Sequence, residues 1–216
     1  MFCIKTFQVN PLQENCFIVN DETSECVIID CGAYYEDEQL AIKQYIIDNK
    51  LTPVHLLCTH GHFDHIFGNT FVHNLWGLEP KIHFADASFL ENFREQCNNF
   101  GIPINTDNTI IPIGKHLHDG DIISFGKHHL HITHTPGHSP GSIFLFCKEE
   151  NIAFSGDTLF HMSVGRTDLP GGSWDQLMKS IESKIKCLPL NTRIYPGHGP
   201  QTTISEEFLV NPYLVK

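Results

Sequence analysis

The chain contains no C-x-x-C pair, no low-complexity linker, no internal repeat and no excess of positive charge. It also has no apolar run near the ~20 residues that a bilayer crossing needs. Each absence excludes something. Without that run there is no candidate membrane helix. The N-terminal segment lacks a basic stretch followed by an apolar core, so no secretory signal is read and a cytoplasmic location is expected. Lys and Arg number 14 against 25 Asp and Glu, a formal net charge of −11. A basic face for nucleic acid or an anionic membrane is missing, so neither partner is expected. The eight cysteines lie mostly inside apolar runs and read as free, buried thiols of a reducing compartment.

What is present is an ordinary globular balance, 41% apolar and 18% charged over 216 residues. That excludes a mainly disordered chain, and residues 1–216 are read as a single domain. Histidine is the exception, at fifteen residues.

Residues 2–9 alternate, and the apolar runs 15–20 and 26–31 flank a polar turn, which predicts an antiparallel meander. Residues 36–49 change to helical period behind an acidic first turn. A short buried strand is predicted over 54–59, then helical spacing through Ile66, Phe67, Phe71, Leu75 and Leu78. A helix over 87–100 is predicted with Asp86 as N-cap and Gly101 as the stop. Strands return over 122–125, 130–133, 142–147 and 152–155. Ser173 and Gln176 fit a capping box, opening a helix whose inward stripe is Trp174, Leu177, Met178, Ile181, Ile185 and Leu188. A strand over 193–195 and a short helix over 205–210 close the chain. Two strand-rich halves, each followed by helices, predict two packed sheets with helices outside.

The densest chemistry is Thr59-His60-Gly61-His62-Phe63-Asp64-His65. In extended backbone, residues two apart face the same way, so His60 and His62 can point at one ion. Asp64 and His65 sit where the chain turns into a helix and can face a second point. Three more candidates follow strands beside glycines: His138, Asp157 and His198. His60, His62 and His138 would give one ion three nitrogens; Asp64, His65 and His198 would serve a second, with Asp157 bridging. Imidazole and carboxylate without thiolate suit two divalent ions, zinc first, with iron or manganese as alternatives. Water between two such cations loses a proton near neutral pH and becomes a nucleophile. Two dications, two aspartates and one hydroxide sum to roughly +1, so an acidic chain can still present a positive site. Asp64 and Asp157 are the candidate catalytic carboxylates.

At these residues the sequence resembles the metallo-β-lactamase-fold hydrolases, over nearly the whole chain and in the family's order. The resemblance implies an α+β fold, a four-layer αββα sandwich. It also places Asp30 beside the metal, behind its ligands. Cys31 stands where the family commonly has proline or threonine, and is read as a packed bystander. Residues 59–68, Ser155-Gly156-Asp157-Thr158-Leu159-Phe160 and Val164-Gly165-Arg166-Thr167-Asp168 look most like glyoxalase II and its short bacterial relatives. That implies thioester hydrolysis of the hydroxyacylglutathione hydrolase type: a hydroxide bridging two metal ions attacks the thioester carbonyl of a small, glutathione-based substrate such as S-lactoylglutathione. Arg166 stands where the family has a basic glutathione contact. The resemblance is to a short form, expected to lack the C-terminal helical extension of full-length glyoxalase II, and His198-Gly199-Pro200-Gln201-Thr202 stands where that family has a segment with a glutathione-contacting tyrosine.

The competing reading is a persulfide dioxygenase holding one iron on a subset of the same positions. A β-lactamase is disfavoured by the bridging Asp157, and a nuclease by the acidity. Residues 160–172 are read as a substrate-side loop. His161 is weighed as pocket lining, and His128, His129, His131 and His134 are read as a solvated strand face.

Overall fold

β1 (Cys3–Val9), β2 (Glu14–Asn20) and β3 (Glu25–Ile29) pair antiparallel in chain order, as the alternation and polar turns dictate. The structure is a computed structural model that describes residues 2–104 and 111–214. From β3 the chain crosses through α1 (Glu36–Asp48) to β4 (Thr52–Leu57), parallel to β3. The Glu38 carboxylate accepts the backbone N–H groups of Asn10, Tyr34 and Tyr35. It thereby fixes the entry to α1 and tethers the end of β1 to it. After α2 (Phe63–Ile66) and α3 (Asn69–Trp76), β5 (Pro80–His83) and later β6 (Lys115–Leu117) extend the sheet in parallel.

The second sheet is built from β7 (Ile122–Phe125), β8 (His128–His134), β9 (Ile143–Cys147) and β10 (Ile152–Gly156). A two-stranded hairpin, β11 (Leu159–Phe160) and β12 (Ser163–Val164), leads to α6 (Trp174–Ser180) and a π-helical turn over Ile181–Ile185. β13 (Arg193–Pro196), β14 (Thr202–Thr203) and α7 (Ile204–Val210) finish the chain. The strand order is β14-β13-β10-β9-β8-β7, with β10 and β13 parallel.

Packing explains why the strands read as unbroken apolar runs. In β2, Phe17 and Val19 enter the core between the sheets, against Leu130, Leu145 and Phe154. Their neighbours Cys16 and Ile18 face the other way, against Ile42 and Ile46 of α1 and Val72 of α3. The second sheet likewise turns Phe144, Ala153 and Ile194 to Leu177, Ile181, Ile185 and Ile204. Both faces of each sheet are covered, so the layers run α, β, β, α as expected. All eight cysteines are free, six of them buried, and Cys31 packs in the outer core as expected. No helix among the described residues is long and apolar enough to cross a membrane.

Several expectations need correction. The helix expected over 87–100 is two, α4 (Ala87–Glu91) and α5 (Phe93–Asn99), joined at Asn92, whose ψ of 21° breaks the ladder. Asp86 makes no capping bond, because its carboxylate is committed elsewhere. Gly101 ends α5 at φ +65° as expected. Trp174 is 45% exposed and leaves the inward stripe of α6, its ring resting against Tyr213. His128 is buried, bonded to Asp21 at 3.0 Å and Glu150 at 3.2 Å, so it does not belong to a solvated face. His134 bonds the Pro140 carbonyl and stacks on His83 with centroids 3.9 Å apart. His129, in contrast, is exposed.

Candidate metal centre

The C-terminal ends of β4, β10 and β13 and the loop between β8 and β9 meet at one point between the sheets. Each delivers a candidate ligand there. His60 and His62 lie on the extended segment after β4, and one turn of α2 presents Asp64 and His65. His138 comes from the β8–β9 loop, and Asp157 follows β10. The parallel register pairs Gly156 with Pro196, which sets Asp157 beside Gly197 and His198. A Cβ at position 197 would collide with Asp157 Oδ1 and His65 Cε1, so only glycine lets the two loops approach this closely.

The seven ligand candidates come together in the groups that their spacing implied. One donor atom from each of His60, His62 and His138 lies within 4.8 Å of the others, and the same holds for Asp64, His65 and His198. Asp157 lies between them. Its Oδ2 is 3.5 Å from His138 Nε2 and 3.7 Å from His198 Nε2, and its Oδ1 is 3.4 Å from His65 Nε2.

The electrostatics call for a cation. Burial, reinforced by neighbouring imidazoles, pushes His62 down to about 4 and His60 well below its ordinary value, leaving both rings neutral with a lone pair to donate. Burial would also lower His65, but Asp157, Asp64 and Asp30 outweigh it and raise its pKa, the mark of a negative charge around the ring that a bound cation would neutralise. Burial likewise opposes ionisation of Asp157 and Asp64, and the histidines, His65 foremost, hold both carboxyls below their usual range. The Nε2 atoms of His60, His62 and His65 and the Oδ1 of Asp157 are buried without any hydrogen-bond partner. Buried polar atoms are rarely left so; His62 instead turns its Nδ1 to the centre, 2.8 Å from His138 Nε2, and a bound cation would satisfy the other three. Nitrogen and carboxylate donors without thiolate fit zinc, iron or manganese.

Groups behind the ligands fix their rings. The Asp30 carboxylate takes the Thr59 N–H and hydroxyl, both at 2.6 Å, and His65 Nδ1 at 3.1 Å. Asp30 thus lies directly behind the candidate ligand His65. His138 donates from Nδ1 to the Arg166 carbonyl at 2.7 Å, and His198 from Nδ1 to the Leu12 carbonyl at 3.1 Å. Each bond leaves Nε2 facing the centre. Arg166 therefore serves the site through its backbone. Its guanidinium sits at the rim, paired with Asp168 through Nε and Nη2, both at 2.7 Å. His161 is turned away toward Glu207, outside the cavity lining.

Asp86, read only as a cap, and Asn10 and Asn15 hold roles at the site that the sequence reading does not give them. Asp86 accepts from the Gly61 N–H at 2.9 Å, the Ser139 hydroxyl at 2.6 Å and the Gly141 N–H. It thereby ties the His60–His62 segment to the His138 loop. Asn10 holds the Asp64 and Gly32 carbonyls, and Asn15 holds those of Pro196 and Gly199. These bonds join partners 22 to 184 positions apart, so no local pattern announces them. The centre opens into a cavity of about 670 Å³, with Asp64, Asp157, His62, His138 and His198 at its floor.

The chain belongs to the metallo-β-lactamase superfamily, whose family model matches residues 9–198. That fold implies a divalent metal site, and the donor set above offers candidate ligands for it. Among relatives, a probable metallo-hydrolase of Bacillus subtilis, YqgX, is 38% identical across 95% of this chain and 94% of its own length. The hydroxyacylglutathione hydrolase GloC of Haemophilus influenzae is 35% identical across 98% and 97%. Among solved structures, the B3 metallo-β-lactamase BLEG-1 superposes with a TM-score of 0.88 at 34% identity, covering 99% of this chain and 100% of that one. TTHA1623, in a di-iron-bound form, gives 0.85 at 34% identity, covering 97% and 100%.

Proposed function

We propose that this metal-dependent hydrolase cleaves thioesters, in the manner of the hydroxyacylglutathione hydrolases, with two divalent ions and zinc as the first candidate metal. The observation that supports the reading is Asp157, lying between two groups of candidate ligands at the floor of an open cavity. His60, His62 and His138 would hold one ion, Asp64, His65 and His198 the other, and Asp157 would offer an oxygen to each. Bound divalent ions would lower the pKa of water and stabilise negative charge on the carbonyl oxygen. The chain's own residues do the rest. Asp30, the Arg166 carbonyl and the Leu12 carbonyl orient the rings of His65, His138 and His198. Asp64, which would need only one oxygen for its ion, supplies a second carboxylate oxygen at which the proton leaving the attacking water is held, while Asp157 positions the two ligand groups. One water is consumed, the carbon–sulfur bond breaks, and the products are a carboxylic acid and a thiol. A thiolate leaves readily, so no further acid is required at the sulfur.

S-lactoylglutathione is the first substrate to assay, beside a β-lactam and glutathione persulfide. Thioester turnover that disappears in Asp157→Ala supports the reading. Oxygen uptake with the persulfide and no thioester turnover replaces it with the dioxygenase.

A further inference from the structure

The floor of the cavity is polar, and its walls are mostly apolar, with Gln96, Asn99 and Ser163 the uncharged polar exceptions. Phe63 and Phe100 meet with ring centroids 4.9 Å apart, Phe89 stands edge-on to His62 at 5.4 Å, and Phe160 edge-on to His198 at 6.1 Å. Leu12 and Phe100, at 47% and 49% exposure, stand at the mouth. Exposed large apolar side chains that gather around one cavity mark a surface awaiting an apolar ligand. Charge points the same way. Arg166 is the one Lys or Arg among the described residues lining the cavity, and its guanidinium already meets Asp168 through two bonds. A substrate arm bearing carboxylates would find little here to pair with, and outside Gln96, Asn99 and Ser163 the wall would desolvate hydroxyls against phenyl rings.

Resting on the thioesterase reading, we infer that the preferred substrates carry an apolar acyl arm, of medium chain length or aromatic, which lies on the wall formed by Phe63, Phe89, Phe100 and Phe160. Small hydroxyacyl groups leave that wall wet and are poorer substrates.

The test varies the acyl group on one uncharged carrier, N-acetylcysteamine, using the protein with its native metal. A fully buried methylene favours the bound state about fourfold. Hexanoyl adds four methylenes to acetyl, and on a wall open at one side the gain in kcat/KM should be about tenfold or more, carried mainly by KM. S-lactoylglutathione should fall below the hexanoyl thioester. Phe100→Ser, a change at a half-exposed position, should reduce the hexanoyl-to-acetyl ratio to about threefold or less. In parallel, calorimetry follows binding of the uncleavable thioether S-hexyl-N-acetylcysteamine, which should bind the wild type and weaken by a similar factor in Phe100→Ser. Thioester turnover without a chain-length preference overturns this inference and leaves the thioesterase standing. Thioether binding that needs Phe100, with no thioester hydrolysed, overturns the thioesterase and keeps the apolar-ligand pocket. Neither turnover nor binding overturns both.

Discussion

Replacing Asp86 by alanine should damage the centre without touching a ligand. Its carboxylate is buried and takes three donors, from Gly61, Ser139 and Gly141. Burial lifts its carboxyl above the ordinary value, and those donors pull against the lift. In Asp86→Ala the Ser139 hydroxyl keeps Ser142 Oγ at 2.8 Å, but the Gly61 and Gly141 amides lose their acceptor. An orphaned buried amide costs ~1–3 kcal/mol, so the pair costs ~2–6. Relief of the buried charge returns part of this, for a net loss of about 2–4 kcal/mol. At ~2–4 °C per kcal/mol for a chain of this size, Tm should fall by roughly 10 °C. Asp86→Asn separates the contributions. With its oxygen at the Oδ2 position it still serves Gly61 and Ser139, and only the Gly141 amide meets a second donor, for about 1–3 kcal/mol. Urea melts at fixed metal concentration measure the loss, and metal content measures the looser loops. A cost below about 1 kcal/mol for Asp86→Ala, with metal retention unchanged, would refute the view that Asp86 holds the two ligand segments together.

Other expectations follow from the same geometry. Burial works to raise the Asp21 carboxyl, but bonds from Thr23, Lys127 and His128 prevail and hold it well below the usual range. A depressed folded pKa stabilises above the unfolded value of ~3.9 and is lost as pH falls through the folded one. Asp21→Asn should therefore destabilise at pH 7 and lose its penalty progressively below about pH 4, measured by urea melts across pH. Phe154, fully buried against Phe17 and Tyr195, should cost ~3–5 kcal/mol when cut to alanine, read as a lower urea midpoint. Chelation should lower Tm by about 5–10 °C, since a ligand at a hundredfold its Kd contributes ~2.7 kcal/mol. Calorimetry before and after chelator, with re-addition of zinc, tests that shift.

The candidate ligand set was legible because metal-binding chemistry is written into short segments. His60, His62, Asp64 and His65 lie within six residues, and His138, Asp157 and His198 each follow a strand beside a glycine. The long strands were legible through their apolar runs, though burial on both faces erased the alternation that would have shown which side faces the helices. The strands β5, β6, β11, β12 and β14 were not seen, since two to four residues carry no period. Asp86 was misread because an acid before a helical pattern is ordinarily a cap, whereas its partners lie 25 to 55 positions away. His128 looked like one of a polar row until Asp21, from the far end of the chain, was seen to bury it. Arg166 illustrates the same limit. Its position was noticed for a charge, and its backbone carbonyl orients His138.

The central claim is that two ligand groups share Asp157 around a pair of divalent ions. Elemental analysis of protein purified without chelator or added metal tests it most directly, run beside the Asp157→Ala and His198→Ala variants. The account predicts about two ions per chain in the wild type, falling to about one when His198 is removed and falling further without Asp157. Wild-type protein holding one iron per chain, with His198→Ala unchanged, would contradict it.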